Sequence, residues 1–191
     1  RISLLLSYLP MVIQMLFITC LIIVAAGPYR VIEHQKKQVD GIDIALALDI
    51  SSSMQTRDIN PSRLETAKTM GTAFIRKRSH DPIALVAFAG APYLASPITT
   101  DTAFLLHQLQ QFTTNQIPEE GTALGDALGM CINQIRDSKN PKKISILISD
   151  GNNTAGNLDP VTSAELAKNF NIKVYTIAVG SLQTSTDTVE E

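Results

Sequence analysis

Five side chains with carboxylate or hydroxyl oxygens stand where apolar segments of the sequence end or a helix is predicted to begin. Carboxylates and hydroxyls are hard ligands of the kind that Mg²⁺ and Mn²⁺ select, and no cysteine or histidine accompanies them to favour zinc or copper. The sequence therefore predicts a divalent-cation site. Its candidate ligands are Asp49, Ser51, Ser53, Thr122 and Asp150.

The charge of this set suits a divalent cation that has room for one more ligand. Asp49, Ser51 and Ser53 are spaced two residues apart, so a tight loop can turn three oxygens towards one point. Two carboxylates, Asp49 and Asp150, balance the charge of the ion. A carboxylate from another molecule would then complete the coordination shell.

Each part of this pattern is weak by itself. Serines after an acid often cap backbone groups in a turn, and Thr122 is at a position where a helix N-cap is common. Asp150 could equally belong to an ordinary turn with Gly151. The cation site is predicted because each part stands at the expected end of its own strand or helix.

The elements that must position these residues form an alternating pattern. Residues 42–48 are apolar at every second position on one face, with the small Ala45 and Ala47 on the other, which predicts a buried parallel strand. Further strands are predicted over 83–88, 143–149 and 173–179, with an edge strand within 90–98.

Helices are predicted between these strands. Asn60 with Pro61 is predicted to open the first, where Ser62 and Glu65 have capping-box spacing. Asp101 is predicted to cap a helix over 102–111 whose Phe104, Leu105, Leu109 and Phe112 face inward, and further helices are predicted over 123–136 and from Asp159 to Phe170. The alternation predicts an α/β fold with a doubly wound, mostly parallel sheet and helices on both faces.

An uncharged apolar run precedes this domain. Residues 2–27 are long and apolar enough for a membrane helix, which we predict over 1–28, in preference to a signal peptide or a buried helix. A linker is expected over 29–41, the domain over 42–180 and a polar tail over 181–191. The chain begins with arginine, so we expect both ends to be cut from a longer protein.

Composition narrows the possible partners. The 191 residues carry a formal net charge of −2, and lysines and arginines are interspersed with acids along the chain. A basic stripe is therefore not expected, and no nucleic-acid partner is predicted. Cys20 lies in the apolar run and Cys131 in a predicted helix, so they are not expected to form a disulfide.

The pattern Asp-x-Ser-x-Ser, then Thr, then Asp resembles the metal-ion-dependent adhesion site (MIDAS) of von Willebrand factor type A (VWA) domains. The resemblance covers about 41–180 and implies that Asp49, Ser51, Ser53, Thr122 and Asp150 bind Mg²⁺, or Mn²⁺ or Ca²⁺, with the acids often acting through water. It also implies a Rossmann-like fold.

Longer segments are similar to the membrane-anchored bacterial BatA (aerotolerance) type of this family. They are 58–65, 86–90, 121–128 and 174–180. This resemblance implies a domain on the periplasmic side of the inner membrane, in a cell-envelope complex with other Bat-type proteins and a MoxR-type AAA+ ATPase. The family usually continues with another helix and strand, so the C-terminal part of the domain is expected to be truncated.

The function predicted from the sequence is metal-dependent binding of a protein that presents an exposed Asp or Glu, without catalysis. An enzyme that transfers phosphoryl groups through Asp49 is the alternative, but such enzymes place a second acid where Ser51 stands. A structural scaffold that holds no metal is the third possibility.

Overall fold

The computed structural model describes residues 2–25, 41–151 and 153–181, and in the first helix it describes the side chains of 8–22 and 24. The chain divides into two compact units, Arg1–Lys37 and Gln38–Glu191. The predicted linker, apart from Gly41, and the predicted tail beyond Ser181 lie outside the described residues.

The first unit contains a single described element, helix α1 (Ile2–Ala25). Its described apolar side chains are exposed, with Phe17 at 66% and Val24 at 74%. Within the described part of the chain, no helix is both long enough and apolar enough to cross a membrane. The membrane span predicted over 1–28 is corrected accordingly, and the element described there is the α-helix Ile2–Ala25.

The second unit is an α/β fold, as predicted. Its strands and helices are mixed along the chain, with two successive strands and then two successive helices in the middle, and one 3₁₀ turn at Ser52–Gln55. The strands are β1 (Asp43–Asp49), β2 (Ile83–Phe88), β3 (Pro92–Thr99), β4 (Lys143–Ser149) and β5 (Ile172–Ala178). The helices are α2 (Arg63–Lys77), α3 (Thr102–Gln110), α4 (Leu124–Ile135) and α5 (Pro160–Asn169).

The described strands form one sheet in the order β3-β2-β1-β4-β5. Strand β1 pairs in parallel with β2 and β4, β4 pairs in parallel with β5, and β3 is antiparallel to β2 at the edge. The mostly parallel, doubly wound sheet is confirmed. The strands that follow β1 along the chain, β2 and β3, lie on one side of it, whereas β4 and β5 lie on the other, so the winding of the sheet reverses between β1 and β4. In such sheets, ligands usually bind in the crevice beyond the carboxyl ends of the strands at this point.

Both faces of β1 are buried, in two separate apolar clusters. Ile44, Leu46 and Leu48 pack with residues of α2 and α3 on one face. Ala45 and Ala47 pack with residues of α4 and α5 on the other. The alternation of large and small side chains therefore fixes the register of the central strand, and with it the position of Asp49 at its end.

The helix boundaries agree with prediction at two caps and differ at a third. Asp101 accepts a hydrogen bond from Phe104 N at 3.0 Å, and Asp159 accepts one from Val161 N at 3.0 Å. Helix α2, however, begins at Arg63 with Ser62 as its cap, so the predicted start at Asn60 is wrong. The Ser62 hydroxyl accepts a bond from Glu65 N, as the capping box predicts.

One predicted core residue is exposed. Phe104 is 42% accessible, whereas Leu105 and Leu109 of the same helix are buried. Phe104 lies in the first turn of α3. The helical periodicity of this segment predicted the buried positions of Leu105 and Leu109 correctly but wrongly included Phe104.

Candidate metal centre

The crevice at the carboxyl ends of β1 and β4 contains the two acids of the predicted site. Asp49 is the last residue of β1, and Asp150 directly follows β4. The adjacent parallel strands bring their ends together. Burial is the main cause that raises the pKa of Asp49, and the negative charge of Asp150 adds to it. The structure therefore places these acids on the same edge, at the point where the winding of the sheet reverses.

Asp49 is fully buried and both of its oxygens accept hydrogen bonds. Ser51 N donates to Oδ1 at 2.9 Å, and Ser149 Oγ donates to Oδ2 at 2.6 Å. Burial raises the pKa of Asp49 above its ordinary value, and the bonds from Ser149 and Ser51 partly oppose that shift. Among the described residues, no lysine or arginine forms an ion pair with Asp49.

The two predicted hydroxyl ligands lie side by side after β1. Ser51 Oγ and Ser53 Oγ are 3.0 Å apart. Ser51 is buried and Ser53 is exposed. The hydrogen bond from Ser51 N to Asp49 closes this turn. The Ser51 hydroxyl is therefore inside the crevice, and the Ser53 hydroxyl is at its solvent-exposed opening.

Thr122 lies in a neighbouring loop, just before α4. It is 4% exposed, its N–H donates to Thr154 Oγ1 at 3.0 Å, and its carbonyl accepts from Thr154 N at 3.0 Å. Ala123 N donates to Ala89 O at 2.7 Å, which ties this loop to the end of β2. Among the described residues, Thr122 makes no hydrogen bond with the other four predicted ligands.

Asp150 is held by an arginine. Arg63 Nη1 donates to Asp150 Oδ2 at 3.0 Å. Arg63 also forms a bidentate ion pair with Asp58, in which Nε donates to Oδ1 at 2.9 Å and Nη2 donates to Oδ2 at 2.8 Å. Asp58 in turn accepts from Ser181 N at 2.9 Å. Arg63 and Ser181 hold the pKa of Asp58 well below its usual range.

Two residues of the centre were not identified from the sequence. Ser149 binds Asp49, and Arg63 binds Asp150, across 100 and 87 residues of chain. The signal for Ser149 was a hydroxyl at the end of an otherwise apolar strand. The only signal for Arg63 was its position in the first turn of α2, beside the acid-containing loop.

A cleft of about 140 Å³ adjoins the hydroxyls. Ser51 and Ser52 line one side of it and Gly121, next to Thr122, lines another. Glu119 and Glu120 complete its rim. The cleft therefore joins the first loop of the predicted site to the loop that contains Thr122.

The residues present fit a divalent cation. Asp49 is a buried carboxylate without a cationic partner among the described residues, and two hydroxyl oxygens lie beside it. Within the described ranges, no three His, Cys, Asp or Glu side chains form a cluster suited to a metal. A cation at this centre would thus depend on hydroxyl ligands as well as acids, which suits Mg²⁺, Mn²⁺ or Ca²⁺ better than a soft metal.

Comparison with known proteins identifies relatives of this unit. The model of the von Willebrand factor type A domain matches residues 44–152. An uncharacterised protein of Borreliella burgdorferi is 32% identical over 142 residues, which are 74% of this chain and 41% of that protein. The chain spans about two fifths to one half of the curated relatives it matches.

Two solved structures share the fold. BatB from Bacteroides thetaiotaomicron is 30% identical, with a TM-score of 0.68 over 72% of this chain and 66% of that one. An aerotolerance-related membrane protein from Bacteroides fragilis is 28% identical, with a TM-score of 0.69 over 79% of this chain and 77% of that one.

Proposed function

The chain belongs to the von Willebrand factor type A domain family, and on that basis we propose that it is a metal-dependent protein-binding module. Its ligands would be Asp49, Ser51, Ser53, Thr122 and Asp150, the set that matches the MIDAS pattern. When bound, the cation supplies a Lewis-acidic position for a carboxylate of the partner. Mg²⁺ is the expected ion, and Mn²⁺ or Ca²⁺ would use the same oxygens.

The observation that carries this proposal is the environment of Asp49. Burying a carboxylate without a cation is costly, and burial raises the pKa of Asp49 accordingly. Its hydrogen bonds to Ser51 N and Ser149 Oγ fix the carboxylate in one orientation. Such a pre-oriented, uncompensated charge favours binding of a cation.

The electrostatics of the centre also define the partner. Arg63 already neutralises part of the charge of Asp150, so a divalent cation beside Asp49 and Asp150 would leave the centre no more than weakly charged. An exposed Asp or Glu of another protein supplies the anionic oxygen that a hard cation prefers. The partner is therefore proposed to present an acidic side chain to this edge.

The setting of this binding is proposed from relatives. The similar Bacteroides fragilis protein is named an aerotolerance-related membrane protein. By analogy, we place the domain on the periplasmic side of a bacterial inner membrane, in a complex with other Bat-type proteins and a MoxR-type AAA+ ATPase. This part of the proposal depends on resemblance and not on the geometry of the centre.

A binding role is preferred to catalysis for a structural reason. Asp49, the candidate nucleophile of the alternative enzyme, is fully buried and both oxygens are engaged. Ser51 occupies the position where a second acid would act as acid and base. A nucleophile so enclosed cannot approach a phosphoester without rearrangement of the loop. The third possibility, a scaffold without metal, predicts that added cations change nothing.

Capture from membrane extracts tests the proposed function. The immobilised chain is incubated with extract in Mg²⁺ or in chelator, and free glutamate serves as a competitor. We expect proteins that are retained only in Mg²⁺ and released by glutamate, and that are lost with Asp49→Asn but not with the control Asp159→Asn. Equal retention in chelator, or by Asp49→Asn, would contradict the proposal.

A further inference from the structure

The edge of the sheet opposite the metal centre is the one at which the parallel strands begin. The helices that precede these strands end there. Two loops meet there at the start of β1. Ile44 N donates to Pro82 O at 3.0 Å, which ties in the loop after α2, and Asp43 N donates to Lys142 O at 3.0 Å, which ties in the loop after α4. Strands of seven residues separate this edge from the metal centre by roughly 20 Å.

Basic residues are concentrated at this edge. Residues 76–78, 139–143 and 168–173 contain lysines and arginines but no acid, and they are the last turns of α2 and α5, the loop before β4, and the start of β5. All are exposed except the half-buried Lys143. We call these residues the basic edge: Arg76, Lys77, Arg78, Lys139, Lys142, Lys143, Lys168 and Lys173.

Little of this charge is neutralised locally. Among the described residues, Arg78 is the one member of the basic edge that forms an ion pair, with Asp81 at 3.4 Å. Asp137, which follows α4, is exposed and pairs with Arg136 at 3.3 Å, and Asp43 is 1% exposed and accepts a bond from Asn140 Nδ2. The acids of this unit lie mostly at the other edge, where α4 and α5 begin, so the unit has one acidic and one basic end. Basic and acidic residues are interspersed along the chain, so no basic stripe was expected, but folding gathers these basic residues at one edge.

A cleft within the basic edge combines charge with an aromatic ring. Lys142, Lys143 and Lys173 line a cleft of about 250 Å³ together with Tyr175, which is 53% exposed, and Ile42. Lysines attract phosphate groups, and tyrosine favours the boundary between headgroups and hydrocarbon, because its ring is apolar and its hydroxyl is polar. Cationic side chains beside an amphipathic aromatic ring are suited to the headgroup region of an anionic phospholipid bilayer.

We propose that the basic edge docks onto the surface of an anionic phospholipid bilayer. Gly41 and the start of β1 also lie at this edge. Each basic residue close to an anionic membrane contributes roughly fivefold in affinity, and the effect decays within a Debye length of about 8 Å. The metal centre would then face away from the membrane, open to a partner. This docking does not depend on metal binding.

Vesicle sedimentation of the 191-residue chain tests the proposal. Vesicles of phosphatidylcholine alone are compared with vesicles that also contain phosphatidylglycerol, at low and at physiological salt. The double variant Lys142→Gln/Lys173→Gln is compared with Arg57→Glu, an exposed residue at the other edge. Both variants lower the net charge by two. Helix α1 is present in every variant, so any binding of α1 to the vesicles contributes equally to all samples.

We expect binding to the anionic vesicles to exceed binding to neutral ones, and to weaken with salt. The double variant should lose about tenfold in affinity or more, whereas Arg57→Glu should change it less than twofold, with unfolding temperatures unchanged in both. Equal losses in the two variants would overturn the proposal, because net charge alone would explain them. Absence of a preference for anionic vesicles, or a stronger preference for duplex DNA added as competitor, would also overturn it.

Discussion

Ser149 and Asp49 are joined across the β1–β4 pair, with Ser149 Oγ donating to Asp49 Oδ2 at 2.6 Å. Both residues are the last of their strands, and both are buried. The bond orients the carboxylate that is proposed to bind the cation. Ser149 is thus a positioning residue of the centre, although it is not among its proposed ligands.

Replacing Ser149 with alanine should weaken metal binding. The change leaves Asp49 Oδ2 without its donor, and loss of such an outer partner typically costs roughly 10- to 100-fold in metal affinity. Calorimetric titration with Mn²⁺ would measure the effect. Ser145→Ala is the control, since Ser145 is buried in the same strand and its hydroxyl has no hydrogen-bond partner among the described residues. An equal loss in both variants would contradict the role of Ser149.

Replacing Asp49 with asparagine should abolish stabilisation by Mg²⁺ without lowering the stability of the metal-free protein. The amide can accept from Ser51 N and donate to Ser149 Oγ, and it removes a buried charge. In chelator at neutral pH, we expect the variant to unfold at the same temperature as the wild type or higher. Mg²⁺ at about 100 times its dissociation constant should stabilise only the wild type, by about 2.7 kcal/mol. A variant that is much less stable in chelator would show that Asp49 has a purely structural role.

Replacing Asp58 with asparagine should change the acid dependence of stability. Arg63 holds the pKa of Asp58 below its usual range, so the folded state binds fewer protons than the unfolded state. Asp58 therefore stabilises the fold above its unfolded pKa of about 3.9, and this contribution is lost as the pH falls below it.

Denaturant unfolding in chelator at several pH values would measure this effect. The stability difference between wild type and Asp58→Asn should shrink between about pH 5 and pH 3. The exposed Glu165, replaced by glutamine, is the control, and its difference should stay small throughout. A difference for Asp58→Asn that does not change with pH would show that the Arg63 pair contributes nothing.

Replacing Gly90 with alanine should disturb the loop that leads to Thr122. Gly90 N donates to Glu119 O at 3.0 Å, and an added Cβ would lie 2.7 Å from the carbonyl of Glu119. We expect a loss of about 1–3 kcal/mol in the free energy of unfolding and several-fold weaker Mn²⁺ binding. In Gly129→Ala the nearest atom is the flexible end of Leu158 at 3.1 Å, so that control should retain both properties. Unchanged metal binding in Gly90→Ala would argue against Thr122 as a ligand.

Local features of the fold could be predicted because they depend on neighbouring residues. The caps Asp101 and Asp159 each bond to backbone within three residues, and the alternation of Ile44 to Leu48 fixes both faces of β1. The start of α2 was placed wrongly because two capping signals, at Asn60 and Ser62, compete within three residues. In the structure, Ser62 is the residue that caps α2.

Features that depend on distant residues could not be predicted from spacing. Ser149 reaches Asp49, and Arg63 reaches Asp150, only because the winding of the sheet brings the ends of β1 and β4 beside the start of α2. The basic edge was missed for the same reason. Its three segments are separated along the chain by stretches that contain acids. Only the fold brings the basic segments together, while Glu65, Asp101, Asp126 and Asp159 lie at the starts of helices.

Titration with Mn²⁺, followed by electron paramagnetic resonance, tests most directly whether these oxygens form one metal centre. The wild type is compared with Ser51→Ala/Ser53→Ala and with Ser52→Ala, which removes the exposed hydroxyl between the two proposed ligands. We expect one Mn²⁺ per chain, displaced by Mg²⁺, in the wild type and in Ser52→Ala, and at least tenfold weaker binding in the double variant. Binding by the double variant as tight as that of the wild type, or no binding by the wild type, would contradict the metal centre.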